Sequence, residues 1–379
     1  MLTERLEFTP ERDAEVFAAV PPAPAVFLLR GENKNAEPYV SKTANLRRRL
    51  QRLLGPVDER TRKLNLRDRV RSIEYAPAGS DFESGFLLYK ILRETFPKTY
   101  SNRMRFRFAP LVKLHLENRF PRASITTRLG RLKSRNLYYG PFQSRPAAEK
   151  FMNDSLDFFK MRRCVDDLNP DPKFPGCIYS EMKMCLAPCF KGCTDEEYSV
   201  EVNRVQAYFD SGGDSLVREF SAQRDAASSN LAFEDAAAIH VKLEKLKPAL
   251  SQFPEIACRL DRFSGLIIQP CHLAGSVTFF RVESGAISGS APFVIQAAEH
   301  TKSQSMESRV QAVLDTFPST KPQPLETMEH LALLKRWYYR GRRAGEIFLA
   351  DDKGVFPMRR IVRGIGRVLR GEGPEEEER

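Results

Sequence analysis

Apolar positions along the chain follow two rhythms, and the change from one to the other marks out the elements. Ala25-Val-Phe-Leu-Leu-Arg30, set off by the Pro21-Pro22-Ala-Pro24 stretch, has the unbroken apolar run of a short buried strand. Gly31 to Pro38 reads as a turn, and Tyr39-Val40 as a second strand. Over residues 43–54 the spacing becomes helical: Leu46, Leu50, Leu53 and Leu54 share one face, with Arg47, Arg48, Arg49 and Arg52 between them. A second helix is expected over 81–95, stopped by Pro97. These elements predict a compact α/β module over 22–106, preceded by an extension over 1–21.

Residues 107–160 alternate basic and β-prone stretches and end in a helix from Ala147 to Phe159, so a basic α+β region is expected over 107–200. A cysteine-rich loop covers 164–193. After the Ser211-Gly-Gly-Asp214 break a helical pair is expected over 215–227 and 231–247, ended by Pro248, giving a hairpin unit over 214–249. Gly265–Gln269, Ser276–Arg281 and Phe293–Ile295 alternate like a small antiparallel sheet, and three helical patterns follow. The last third is therefore a small α+β module over 255–370 with an acidic tail over 371–379. The whole reads as a multi-domain α/β chain of 379 residues.

Charge sharpens this picture. Residues 101–150 hold twelve Lys/Arg against Glu117 and Glu149, a local net of +10 within a chain whose total is +11. Residues 47–71 add ten basic against three acidic side chains. A merely solvated face mixes both signs; concentration of one sign is the footprint of a phosphate-binding surface. No apolar run approaches the roughly 20 residues that span a bilayer, and the polar start Met1-Leu-Thr-Glu-Arg-Leu-Glu-Phe8 is no signal peptide. No membrane partner and a cytoplasmic location are the expectation, with the seven cysteines there for metal or chemistry before disulfides.

Ala25-Val26-Phe27, followed by Tyr39-Val-Ser-Lys42-Thr-Ala-Asn45-Leu-Arg-Arg-Arg49-Leu50, resembles the GIY-YIG nuclease module of the UvrC excinuclease family. The resemblance implies hydrolysis of a DNA phosphodiester and puts Tyr39, Lys42 and Arg49 on active-site positions, with Asn102 on a further one. It also shows what is missing. The family's metal-binding Glu falls on Leu88, two of its tyrosines on Phe27 and Leu53, and the glycine of its second strand on Ser41. Glu83 and Glu94 project onto other faces of the helix than Leu88. Magnesium is expected only if the module cuts, and the three losses favour a module without strong nuclease activity.

Glu117-Asn-Arg-Phe-Pro-Arg122 through Arg128, then Tyr138-Tyr-Gly-Pro-Phe142, resembles the region after the nuclease module in the same family. Arg119, Arg122, Arg128, Arg131, Lys133 and Arg135 are the DNA-contact candidates, and the interleaved aromatics suit stacking. Cys164, Cys177, Cys185 and Cys189 are spaced C-x12-C-x7-C-x3-C. Four thiolates in one loop are a donor set for iron–sulfur or zinc. The family carries the same arrangement, including the Leu-Ala-Pro before the last Cys, which implies a four-iron four-sulfur cluster; zinc stays open.

Leu231-Ala-Phe233-Glu234-Asp-Ala236-Ala237-Ala-Ile-His240-Val241-Lys-Leu243 resembles the UVR motif, with His240-Val241 where the family has Arg-Asp. It implies docking onto a matching hairpin of the B component of the excinuclease through Phe233, Glu234, Ala236, Ala237 and Leu243. After residue 248 the likeness fades: the strand at 265–269 has no Asp of the family's RNase H-like nuclease, and no acidic cluster follows. The expectation is a UvrC-like DNA-binding protein of nucleotide excision repair or its regulation. Two alternatives remain open, a short metal-dependent excinuclease making a single incision and a nucleic-acid binder outside repair.

Overall fold

In a computed structural model, which describes residues 2–33, 36–56, 64–130, 134–166, 168–295, 304–319 and 322–374, the chain is a mixed α/β protein built on three four-stranded antiparallel sheets. The first comprises β1 (Glu4–Glu7), β2 (Ala25–Gly31), β3 (Tyr39–Thr43) and β4 (Val70–Pro77), in the order β1-β4-β2-β3. Helices α1 (Asp13–Ala19) and α2 (Leu46–Leu54) cover one face and α3 (Asp81–Thr95) the other, and the short α4 (Tyr100–Met104) follows. Helix α2 begins where the Asn45 side chain accepts the Arg48 N–H at 2.9 Å, and all four of its leucines are buried. Helix α3 begins on Ser80, which caps Glu83, and gives out just before Pro97.

The first twenty residues are not an appendage. Leu6 sits opposite Ile73 in the sheet, and Phe8, Phe17 and Val20 fill its core. Arg67 pins the segment, donating to Asp13 at 2.5 Å and to the Pro10 carbonyl at 2.6 Å. Joining a sheet edge and the core explains why the segment is ordered with the module rather than set apart from it.

The middle region consists of β5 (Leu111–Leu114), β6 (Ala123–Thr126), β7 (Leu137–Gly140), α5 (Arg145–Leu156), the one-turn α6 (Ile178–Glu181) inside the cysteine loop, and α7 (Asp195–Asp210). Helix α7 opens on a capping box between Thr194 and Glu197 and buries Tyr198, Val202, Val205 and Phe209. The hairpin α8 (Asp214–Ser229) and α9 (Phe233–Leu250) packs its base on the same core through Leu216, Phe220 and Leu246. Pro248 does not end α9 but lies in its last turn, which continues to Leu250. A proline there costs one backbone hydrogen bond near a terminus that is fraying anyway.

Residues 258–259 form β8 (Cys258–Arg259), which completes the middle sheet against β7. The third sheet, β11-β10-β9-β12, comprises β9 (Ser264–Pro270), β10 (Ser276–Glu283), β11 (Ala286–Val294) and β12 (Glu346–Leu349), with α10 (Met306–Leu314), α11 (Pro324–Tyr338) and α12 (Met358–Arg370) around it. Helix α3 belongs to two cores. Leu87, Leu88 and Ile91 pack on Val26 and Leu28 of the first sheet, whereas Phe82, Phe86 and Tyr89 pack with Phe280 and Ile267 of the third and with Leu334 and Trp337 of α11. Among the described residues no helix is long and apolar enough to cross a membrane.

Candidate functional site

A cleft that includes the expected site residue Lys42 opens between β3, α3, α4 and α11. It encloses about 180 Å³ and is lined by Lys42, Asp81, Leu88, Arg103, Arg336 and Arg340 along with apolar neighbours. Leu88 thus lies in the cleft beside Lys42, where the family resemblance calls for a metal carboxylate. The structure does not gather the retained positions into one cluster. Tyr39 and Lys42 are three residues apart on one strand, so they project from opposite faces of the sheet. Tyr39 meets Arg49 on the α2 side, accepting a hydrogen bond from its guanidinium at 2.8 Å. Asn102 is exposed on α4 and does not line the cleft.

The two lost tyrosine positions are core: Phe27 is 0% and Leu53 2% exposed, in the same cluster. A tyrosine at Leu53 would have to fit a filled interior. Glu83 turns away toward the third sheet, accepting from the Gly79 N–H at 2.7 Å and from Thr278 at 3.4 Å. Burial raises its carboxyl above the ordinary range.

The carboxylate that does line the cleft is Asp81. Its side chain forms an ion pair with Lys42 and accepts from Arg340 at 2.8 Å. Burial works against its ionisation, but Lys42 and Arg340 together hold the carboxyl below its usual value. Asp81 lies seven residues before Leu88, two turns along the same helical face, a spacing legible in the sequence. With Lys42 and Arg340 on its oxygens, it is a partner for cations already present.

The cysteine loop brings its four residues into one neighbourhood. All four are free and half-buried. Burial first, and then the nearby Cys164, Cys189 and Cys177 opposed by an Ala187 N–H, pushes the Cys185 thiol up to about 11. Among the described residues no three His, Cys, Asp or Glu side chains close around a single ion position. The donor chemistry nevertheless fits a thiolate-bound group, and Arg162 supports that fit. This arginine is 2% exposed, and its guanidinium donates to the carbonyls of Phe120 at 2.9 Å and Asp166 at 2.7 Å. It also meets Cys164 Sγ at 3.4 Å. No carboxylate neutralises it among the described residues, so a negative centre at the cysteines would be its natural counter-charge.

Through Arg162 the loop touches the basic segment between β5 and β6. Tyr198 donates to the Pro121 carbonyl at 2.7 Å, beside the Arg162 bond to Phe120, so both carbonyls between Arg119 and Arg122 are held. Arg119, Arg128 and Arg135 are exposed, Arg122 half-buried, and Arg131 and Lys133 lie outside the described residues. Arg119 pairs with Asp195 at 3.0 Å. Glu117 accepts the Arg135 N–H at 3.1 Å, which places 117–119 against 134–136. His115 nearby is pushed down to about 4 by burial, then by Lys113, Arg122 and Arg162, a sign of crowded cations.

On the hairpin, Phe233 (64% exposed), Glu234 and Ala237 face solvent, whereas Ala236 is half-buried and Leu243 packs against the core. The outward apolar stripe is therefore Phe233, Ala237 and Val241, at intervals of four, with Leu243 on the inner side.

A basic multi-module α/β protein with a cation-lined cleft, a four-cysteine loop and a helical hairpin is the class these features define. The model of the UvrC/Cho excinuclease middle domain matches residues 110–208, from β5 almost to the end of α7. Relatives include the UvrABC system protein C of Trichlorobacter lovleyi, 28% identical over 71% of this chain and 44% of its own length. The protein of the same name from Carboxydothermus hydrogenoformans is 26% identical over 62% of this chain and 38% of its own. That of Chlamydia pneumoniae is 25% identical over 72% and 45%. The chain is UvrC-like and spans less than half the length of these relatives. No solved structure matches it.

Proposed function

We propose that the chain is a DNA-binding component of nucleotide excision repair or of its regulation, and that its nuclease-like module does not cut. One observation carries the second half: an apolar Leu88 lines the cleft beside a Lys42 already engaged by Asp81. Magnesium requires oxygen ligands in near-octahedral geometry, and the one carboxylate lining the cleft among the described residues is taken up by two cations. The names of the relatives, UvrABC system protein C, support the repair setting and company with other members of that system. The exposed basic residues Arg119, Arg128 and Arg135, with Arg122 beside them, support contact with DNA phosphates.

The cysteine loop holds a thiolate-ligated metal centre on this reading, with Cys164, Cys177, Cys185 and Cys189 as ligands. Four such thiolates suit an iron–sulfur cluster or a tetrahedral zinc alike, and the family resemblance favours the cluster. The hairpin offers its Phe233–Ala237–Val241 stripe to a matching hairpin of the excinuclease B component. The deciding experiment incubates the purified protein with damaged and bubble-containing duplexes and magnesium or manganese. Binding without incision is expected; metal-dependent incision abolished by Asp81→Asn would establish the single-incision excinuclease instead.

A further inference from the structure

Beyond the cleft a second hollow of about 550 Å³ continues between the chain after α4 and the outer face of α11, and the two share Met104, Leu333 and Arg336. The cleft contributes Lys42, Arg103 and Arg340 to this path; the hollow contributes Arg105, Arg107 and Lys335, with Arg336 at the junction. Among the described residues, Asp81 is the only acidic side chain lining either. Arg105, Arg107 and Arg336 have no carboxylate partner among the described residues, and all three are exposed. Lys335 is pushed below its ordinary range by burial and then by Arg107, the mark of cations crowded without an anion. Arg105 holds a left-handed backbone, φ 50°, where glycine or asparagine is the easier choice.

Aromatic rings accompany the charges. Phe106 lines the hollow and stacks on Phe108 at 5.9 Å with rings 15° apart. Tyr339 is fixed by its hydroxyl, which donates to the Pro141 carbonyl at 2.8 Å. A cationic groove interleaved with rings is how proteins hold an unpaired strand, with phosphates on the charges and bases on the rings. Rings beside the charges favour a strand whose bases are free to stack over a duplex whose bases are already paired. Because the groove needs both α4 and α11, neither end of the chain forms it alone.

We infer that this groove binds a single DNA strand, led from Arg105 and Arg107 past Arg336 to the Lys42–Asp81–Arg340 end. The inference rests on the DNA-binding reading and adds to it a site distinct from the Arg119–Arg135 surface. The test is fluorescence anisotropy on the intact 379-residue chain. The probes are a short oligodeoxythymidine, a duplex of equal length and an oligouridine, each titrated over a salt series. Arg107→Ala and Arg336→Ala should each weaken oligodeoxythymidine binding severalfold and lower its salt slope by about 0.7. Duplex binding should stay as in the wild type and fall instead with Arg119→Ala and Arg122→Ala. Thermal midpoints control for folding, since Arg107 and Arg336 are exposed. Wild-type strand binding by both groove variants overturns the inference while leaving the DNA-binding reading in place, and so does tighter binding of oligouridine than of oligodeoxythymidine. Failure to bind strand and duplex alike overturns both.

Discussion

On the proposed reading of the cysteine loop as a metal centre, replacing Arg162 by methionine should destabilise the metal-loaded protein more than the stripped one. Arg162→Met keeps most of the buried volume and removes every donor. The carbonyls of Phe120 and Asp166 lose their partner in either state, at about 1–3 kcal/mol each. That loss is offset in part because a buried cation no longer has to be desolvated. What differs between the states is the contact at Cys164 Sγ, 3.4 Å away. Against a neutral thiol it is weak. Against a metal-bound thiolate it is a charge-assisted bond worth about 1.5–3 kcal/mol. By linkage the variant should then bind its metal roughly ten- to a hundred-and-fiftyfold more weakly. Anaerobically purified protein, loaded and stripped, would be unfolded in urea with and without the substitution, and metal release to a chelator followed in parallel. Equal destabilisation in the two states, or unchanged metal retention, would refute the pairing of Arg162 with a negative centre.

The other expectations are simpler. Burial holds His330, 3% exposed, down to about 4, so the folded protein keeps it neutral while the unfolded chain protonates it near 6.5. Its contribution is whole above about pH 6.5 and is lost as pH falls toward 4, by about 3 kcal/mol over that window. Urea melts of His330→Leu should show a shallower pH slope there, on top of a uniform loss from the Ile287 N–H it leaves unpaired; an unchanged slope would count against it. Phe233→Glu should weaken capture of a hairpin from the excinuclease B component at least tenfold with no shift in thermal midpoint, because the ring is exposed; a large midpoint shift would mean the ring packs. Leu88→Glu alone should not restore cutting on a nicked duplex, since the new carboxylate would lie beside Lys42 in a cleft still lined by arginines; robust magnesium-dependent cleavage by this variant would show that only the ligand was missing.

Much of this architecture was legible in the residues. Leu46, Leu50, Leu53 and Leu54 announce α2 because a leucine stripe among arginines has one way to bury itself. The strand at 4–7 was not legible, because an edge strand with one half-buried residue, Leu6, carries no alternation to read. Helix α7 carries its signal in Tyr198, Val202, Val205 and Phe209, spaced by four, three and four on its buried face. The cleft's chemistry was half legible: Leu88 stood out by its neighbours, whereas Asp81 acquires its meaning from Arg340, 259 residues away. The groove was hidden for the same reason, its cations being divided among Lys42, 103–107 and 335–340. The hairpin's inner and outer faces could not be separated until the core under Leu243 was visible.

Helix α3 now has an obligation that outlasts any chemistry in the cleft. Phe82, Phe86 and Tyr89 are buried against the third sheet and α11, and Ile91 against the first sheet, so water reaches little of its apolar surface. A fragment ending after α4 would uncover three large rings at once, at about 1.5–3 kcal/mol for each fully exposed side chain, and should aggregate. Packing constrains such a helix from two sides. Leucine at position 88 packs with Val26 and Leu28, while a substitution at Phe86 would open the core shared with the third sheet and α11.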